Sequence, residues 1–188
     1  VHQHFMLVPS LTVAENVILG IEPTKGLTFD MNKAVEMTEE VCKKYGFDIN
    51  PRARVQDITV GVKQKVEIVK ALVKGCEILI LDEPTAVLTP QETAELFTQL
   101  KLLRESGHTI IFISHKLNEV KELCDRVTVI RKGHTIGVYN VADVTEADIS
   151  RAMVGVDVLL EVPKEPAQPQ DNVLVVKDLG VYNDAGKK

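Results

Sequence analysis

The stretch ILILDEPTAVLT, residues 78–89, limits what this chain can become more than any other. Four apolar residues, Ile78 to Leu81, run unbroken into Asp82 and Glu83, and Pro84 closes the run. A short apolar run that ends this way predicts a strand buried on both faces, with its acidic pair at the carboxyl end. Open α/β sheets keep their ligand chemistry at that edge, because side chains leaving the strand ends meet loops and helix N-termini instead of core. Asp82 and Glu83 are therefore candidates for chemistry.

Two neighbouring carboxylates at a strand end suit metal-assisted phosphoryl transfer. One holds the Mg²⁺ that neutralises phosphate charge, and the next orients or deprotonates the attacking water. Asp82 fits the first role and Glu83 the second. An acidic pair on its own can equally be a solvated strand end, so the surrounding pattern has to decide.

That pattern is a series of well-marked elements. Thr12 and Glu15 have capping-box spacing and start a helix that ends by Gly20, and a loop follows over residues 21–29. A second helix is expected over 31–45, with Asp30 or Asn32 as cap, Gly46 as stop, and Ala34, Met37, Val41 and Tyr45 on its core face. Thr59 caps a third helix reaching Lys74, with a buried stripe of Val62, Val66, Val69 and Val73. Its N-terminus, at Thr59, Val60 and Gly61, offers unpaired N–H groups, the positive end of the helix dipole and a glycine that permits close approach of a phosphate. Thr89, Pro90 and Glu92 open a helix that runs to Glu105. Thr109 to Ile113 reads as a second buried strand ending in Ser114 and His115, and a strand-end histidine can donate a hydrogen bond to a phosphate. Arg126–Ile130 and His134–Val138 form a hairpin about Lys132 and Gly133, and Thr145 begins a last short helix.

Charge and cysteine use remove other classes. A net charge of −5 and a pI near 5.6 oppose a surface that coats nucleic acid. Cys42, Cys76 and Cys124 are scattered, odd in number and without CxxC spacing, which favours a reducing compartment and buried thiols over disulfides or zinc. His2 and His4 flank Gln3, a weak ligand set for a metal. The sequence has no membrane-length apolar run and no leader pattern.

Four pieces in order carry a family resemblance. ILILDEPT resembles the Walker B strand and catalytic glutamate of the ATP-binding cassette (ABC) ATPases. Gln3 in VHQHF is similar to the Q-loop glutamine. DITVGVKQKVEIVKAL, residues 57–72, resembles the signature segment and its helix, and His115 in IIFISHKL resembles the switch histidine. The resemblance covers residues 1 to about 155. It implies an α/β fold, a truncated P-loop NTPase (ABC ATPase) domain with a helical subdomain at about 10–74, and ATP and Mg²⁺ as cofactors.

The resemblance also implies roles. Asp82 and Gln3 would hold Mg²⁺, while Glu83, His115 and Gln3 would serve hydrolysis. Thr59, Val60 and Gly61 would bind the ATP of an opposite nucleotide-binding domain, in the same chain or a dimer. Membrane permease subunits would be direct partners, a substrate-binding protein an indirect one, and nucleic acid none. The place would be the cytoplasmic face of the cell membrane, peripherally. Ile58, Thr59, Val60, Gly61 and Val62 stand in the places of LSGGQ, a variant similar to the sugar and nucleoside importers. Ala86, Val87, Leu88 and Thr89 replace the D-loop sequence SALD. These departures suggest one alternative beside an importer ATPase, a catalytically silent half with a structural role; a soluble ABC ATPase outside transport is a second alternative within the same fold.

The organisation expected from this reading is a partial first nucleotide-binding domain over 1–160, a proline-spaced linker over 161–172, and the opening strand of a second domain in 173–188. PxxP spacing in the linker also permits an SH3 or WW ligand. The chain reads as a fragment of a longer one, and a P-loop, GxxxxGK followed by Ser or Thr, occurs nowhere in it. A P-loop supplies the phosphate cradle and its lysine. Residues 1–188 alone are accordingly expected to show no ATP turnover in a phosphate-release assay, whereas a chain extended upstream through a P-loop is expected to show it.

Overall fold

The computed structural model describes residue 1 and residues 5–26, 28–155 and 174–181. Two compact units divide the chain, Val1–Asp157 and Val158–Lys188. In the second, residues 174–181 form no helix or strand, and Leu174, Val175, Val176, Leu179 and Val181 are exposed. The strand expected to open a second domain is thus absent over these residues, since a strand exists only where a neighbour takes its backbone groups. The linker 161–172 lies outside the described residues.

The first unit begins with a helix, α1 (Val13–Ile18), capped by Thr12 and Glu15 in a reciprocal box. The expected loop that follows contains a minimal hairpin, β1 (Thr24–Lys25) and β2 (Thr28–Phe29). Helix α2 (Met31–Tyr45) is capped by Asp30, whose carboxylate accepts from the Lys33 amide. Its buried residues are Ala34, Val35, Thr38, Cys42 and Tyr45. The expected face is therefore rotated, with Met37 and Val41 only half-buried at its margin. Burial pushes the Cys42 thiol up to about 11, and the charge of Glu39 adds to the effect.

Helix α3 (Val60–Val73) is the centre of the unit. Gly61, Gln64, Lys65, Val66, Glu67, Ile68, Val69 and Leu72 are all buried, more than a single stripe, because α1 and α2 both pack against it. A parallel β–α–β unit follows: β3 (Ile78–Asp82), α4 (Pro90–Glu105) and β4 (Thr109–Ile113), with Leu81 opposite Phe112 and Asp82 opposite Ile113. Helix α5 (Leu117–Leu123), the hairpin β5 (Arg126–Arg131) and β6 (His134–Asn140), and helix α6 (Glu146–Val154) complete it. Lys132 and Gly133 both have positive φ, 51° and 79°, as a two-residue hairpin turn requires.

One expectation fails at the central strands. Leu79 and Leu81 enter the core, while Ile78 and Ile80 are 59% and 51% exposed, and Ile111 and Ile113 on β4 are 47% and 48% exposed. β3 therefore buries one face, β4 half-buries one through Ile110 and Phe112, and both strands open the other. An apolar run states that both faces tolerate burial but not that both are covered. The covered face packs on Leu96, Phe97, Leu100 and Leu103 of α4, where Phe97 meets Phe112 edge to face at 5.9 Å.

Three Thr–carboxylate boxes start α1, α4 and α6, and hydrogen bonds from Thr12, Thr89 and Thr145 hold Glu15, Glu92 and Asp148 below the usual carboxylate range. A depressed folded-state pKa contributes stability that is complete above the unfolded value and is lost as pH falls through the folded one. Thr12→Ala is expected to cost about 1 kcal/mol in urea unfolding at pH 7. The contribution of the Glu15 carboxylate, read as the difference from Glu15→Gln, is expected to vanish once the pH falls below the depressed Glu15 value.

Candidate functional site

The site is built where β3 and β4 end. Because the two strands run parallel and in register, the residues just beyond them, Glu83 and the pair Ser114 and His115, become neighbours although 31 or more positions separate them in the chain. The Glu83 amide donates to Ile113 O at 3.0 Å, and Ala86 N donates to Glu83 O at 3.2 Å, so the turn after β3 is tied to the end of β4. Glu83 adopts φ 43°, a left-handed conformation that costs a non-glycine residue on the order of 1 kcal/mol and persists where its surroundings fix it. The turn aims its carboxylate at His115.

His115 Nδ1 lies 2.9 Å from Glu83 Oε1. An ionised carboxylate only accepts, so Nδ1 carries the proton and Nε2 is left as the second hydrogen-bonding atom of the ring. His115 is two-thirds exposed at the side chain and Glu83 one-third. Asp82, the last residue of β3, is exposed beside them. The main chain of Val1 closes both bonds of a parallel ladder on the other edge of β3, donating to Ile80 O at 2.7 Å and accepting from Asp82 N at 3.2 Å. Gln3 lies outside the described residues, as do His2 and His4.

A buried carboxylate stands behind this pair. Thr85 Oγ1 donates to both oxygens of Glu119 at 2.8 Å, Ser114 Oγ donates to Glu119 Oε2 at 3.1 Å, and Lys116 Nζ pairs with Glu119 Oε1 at 3.0 Å. Motif reading passes over Glu119 because nothing in its spacing alone distinguishes it from a helix-start acid. Its position four residues after His115, in a helix that starts at Leu117, is the available signal.

Thr59, Val60 and Gly61 sit elsewhere, at the start of α3. Thr59 caps the helix by accepting from Val62 N at 3.4 Å, and Thr59 and Val60 are exposed. Gly61 is buried, and the close approach it permits is made by the protein's own Glu92, whose carboxylate a Cβ at Gly61 would strike. The same carboxylate holds Thr89 N at 2.9 Å and Thr89 Oγ1 at 3.0 Å. Glu92 thus ties the start of α3 to the start of α4. Further along α3, Glu67 accepts from Met6 N and Lys70 donates to Met6 O, at 2.6 and 3.0 Å, which fixes the segment that follows Gln3.

The Mg²⁺ expectation can be tested on the donor set. Among the described residues no cluster of three or more His, Cys, Asp or Glu forms a cage. Mg²⁺ normally keeps several waters and takes one or two carboxylates together with substrate phosphates. Exposed Asp82 at a strand end fits that mode of binding.

The Gly61–Glu92 contact makes a sign-changing prediction. Gly61→Ala is expected to destabilise the protein by about 1 kcal/mol through loss of the α4 capping box. In a Glu92→Ala background the same change is expected to be neutral or stabilising by up to roughly 1 kcal/mol, since alanine is the better helix former. Chemical denaturation of the four proteins measures both.

Residues 1–86 match the ABC transporter family. The chain is 47% identical over 186 residues to the nucleoside import ATP-binding protein NupA of Lactococcus lactis, covering 99% of this chain and 37% of that protein. It is also 47% identical over 186 residues to the guanosine import ATP-binding protein NupO of Bacillus subtilis, covering 99% and 36%. A glucose import ATP-binding protein of Haloferax volcanii is 42% identical over 214 residues, covering 99% and 39%. The chain therefore spans well under half the length of these relatives. Among solved structures, cbiO1 of Clostridium perfringens, part of the ABC transporter complex cbiONQ, superposes with TM-score 0.61 at 27% identity, covering 79% of this chain and 57% of that one. A chain of an ABC transporter in an inward-facing conformation superposes with TM-score 0.69 at 16% identity, covering 82% and 63%, and shares the fold. With the strand-end acids and the histidine already in place, these likenesses show that the chain belongs to the ABC transporter ATP-binding family.

Proposed function

We propose that this chain is most of one nucleotide-binding domain of an ABC importer that hydrolyses ATP to drive uptake of a sugar or a nucleoside. The observation that carries the proposal is the 2.9 Å pair of Glu83 and His115 beyond two parallel strands, with Asp82 beside it. Glu83 orients the attacking water and takes its proton. His115, its Nδ1 proton engaged by Glu83, donates from Nε2 to the γ-phosphate as the doubly protonated imidazolium and stabilises charge as that group moves. Asp82 and Gln3 would hold Mg²⁺, which supplies charge neutralisation on the phosphates when bound. Thr59, Val60 and Gly61 serve the ATP of the opposite domain at the start of α3.

The wider assignments rest on the relatives. Permease subunits are proposed as direct partners and a substrate-binding protein as an indirect one, with peripheral attachment to the membrane. No helix among the described residues is long and apolar enough to cross a membrane. The relatives' names include nucleosides and glucose, which sets the substrate class proposed here.

The test is ATP hydrolysis by the chain extended upstream through a P-loop, with its permease partners, against its Glu83→Gln variant. The variant is expected to bind ATP and to lose roughly 100- to 10,000-fold in turnover, the range for removing a general base. If both proteins bind ATP and neither hydrolyses it, the silent structural half replaces the importer ATPase. Turnover that no permease joins or alters favours the soluble ATPase.

A further inference from the structure

We propose that Glu119 is a positioning residue for ATP hydrolysis: a buried carboxylate on α5 that holds the turn bearing Glu83 and the strand end bearing His115 in one arrangement. The inference rests on the catalytic reading of that pair.

Glu119 is 4% exposed and Thr85 2%. A carboxylate buried this deeply persists only when its lone pairs are satisfied by donors or an opposite charge. Here the donors come from the two segments that carry the candidate catalytic groups. Thr85 lies two residues after Glu83 and gives its hydroxyl to both Glu119 oxygens at 2.8 Å. Ser114 immediately precedes His115 and gives its hydroxyl at 3.1 Å, while accepting from Lys116 N at 3.0 Å. Lys116 immediately follows His115. Its ammonium reaches Glu119 Oε1 at 3.0 Å, and Thr85 O and Thr85 Oγ1 each at 3.3 Å.

The network closes. Ser114 accepts a main-chain proton, so its own proton is directed to Glu119. Thr85 Oγ1 accepts from Lys116, so its own proton is directed there too. Both residues flanking His115, and the residue two past Glu83, converge on a single carboxylate. The exposed Glu83–His115 contact is thereby backed by a buried one, and a displacement of Glu119 is transmitted to both members of the pair. Pro84, between Glu83 and Thr85, is buried and shortens the lever by fixing its own φ.

Glu119→Gln keeps the shape but turns one acceptor oxygen into an NH₂ group, which cannot accept from Ser114 or pair with Lys116. In the upstream-extended chain with its permeases, the variant is expected to lose roughly 10- to 100-fold in kcat, the effect of misplacing reacting groups by about 1 Å. The KM for ATP should stay within about twofold, since the uniform binding of ATP is untouched. Introduced into a His115→Ala background, Glu119→Gln should produce a smaller further loss, because the arm through His115 is then void and only the arm through Thr85 to Glu83 remains. A purely structural role would lower the thermal midpoint and act with the same factor in both backgrounds.

Unchanged kcat in Glu119→Gln, or an equal loss in the His115→Ala background, overturns the proposal. Should Glu119→Gln fail to fold, Ser114→Ala decides by the same readouts, because it removes one arm and leaves the Glu119–Lys116 pair intact. Failure of the underlying reading is separable: Glu83→Gln then hydrolyses ATP like the parent. An inactive Glu83→Gln beside a fully active Glu119→Gln overturns the positioning role alone.

Discussion

Parallel pairing of β3 with β4 is the interaction on which the site depends. Five residue pairs, from Ile78 with Thr109 to Asp82 with Ile113, bring the two strand ends level. A slip of one residue would turn every side chain to the opposite face and separate Glu83 from His115. Two things oppose that slip. Leu79 and Leu81 alternate into the core under α4, and the Glu83 amide adds one more bond to Ile113 beyond the ladder. The left-handed backbone at Glu83 is the local cost of turning the chain sharply enough to present its carboxylate there.

Helix α3 couples the remaining parts to this sheet. It is buried on nearly all sides, yet three of its polar residues reach outward to other segments and its one glycine is met from outside. Lys65 pairs with Glu95 of α4 at 2.8 Å, Glu67 and Lys70 hold Met6, and Gly61 admits Glu92. The start of α3, the start of α4 and the segment after Gln3 are thus joined through one rigid element. In a nucleotide-binding domain these are the places where an opposite ATP, the D-loop region and the Q-loop segment would have to respond together.

Most element boundaries were legible because they rest on local chemistry. Thr12, Thr89 and Thr145, each with a carboxylate three residues on, announce three helix starts, and Lys132–Gly133 announces a hairpin. Asp82, Glu83 and His115 were legible as strand-end residues, and the pairing of the strands then brought Glu83 and His115 together. Burial was less legible. Ile78, Ile80, Ile111 and Ile113 are strong strand formers whose exposure depends on what covers the sheet, which no local pattern records. Glu119 was missed for a related reason: its partner Thr85 is distant in sequence, and only the fold brings it to the carboxylate that Ser114 and Lys116 also reach.

Glu92 and Glu119 show how the same group acquires different weight. Both accept from a threonine hydroxyl and both join elements near the D-loop position. Glu92 is half-buried and its bonds to Thr89 lie at the surface, so water can replace them, and its loss should cost little more than a helix cap. Glu119 is enclosed, and removing its charge leaves the Lys116 ammonium and two hydroxyls without the acceptor around which they are arranged. The half-buried carboxylate can be lost while the helices remain docked. The enclosed one cannot change without moving Thr85 and Ser114, and with them the two side chains at which the phosphate chemistry is proposed to occur.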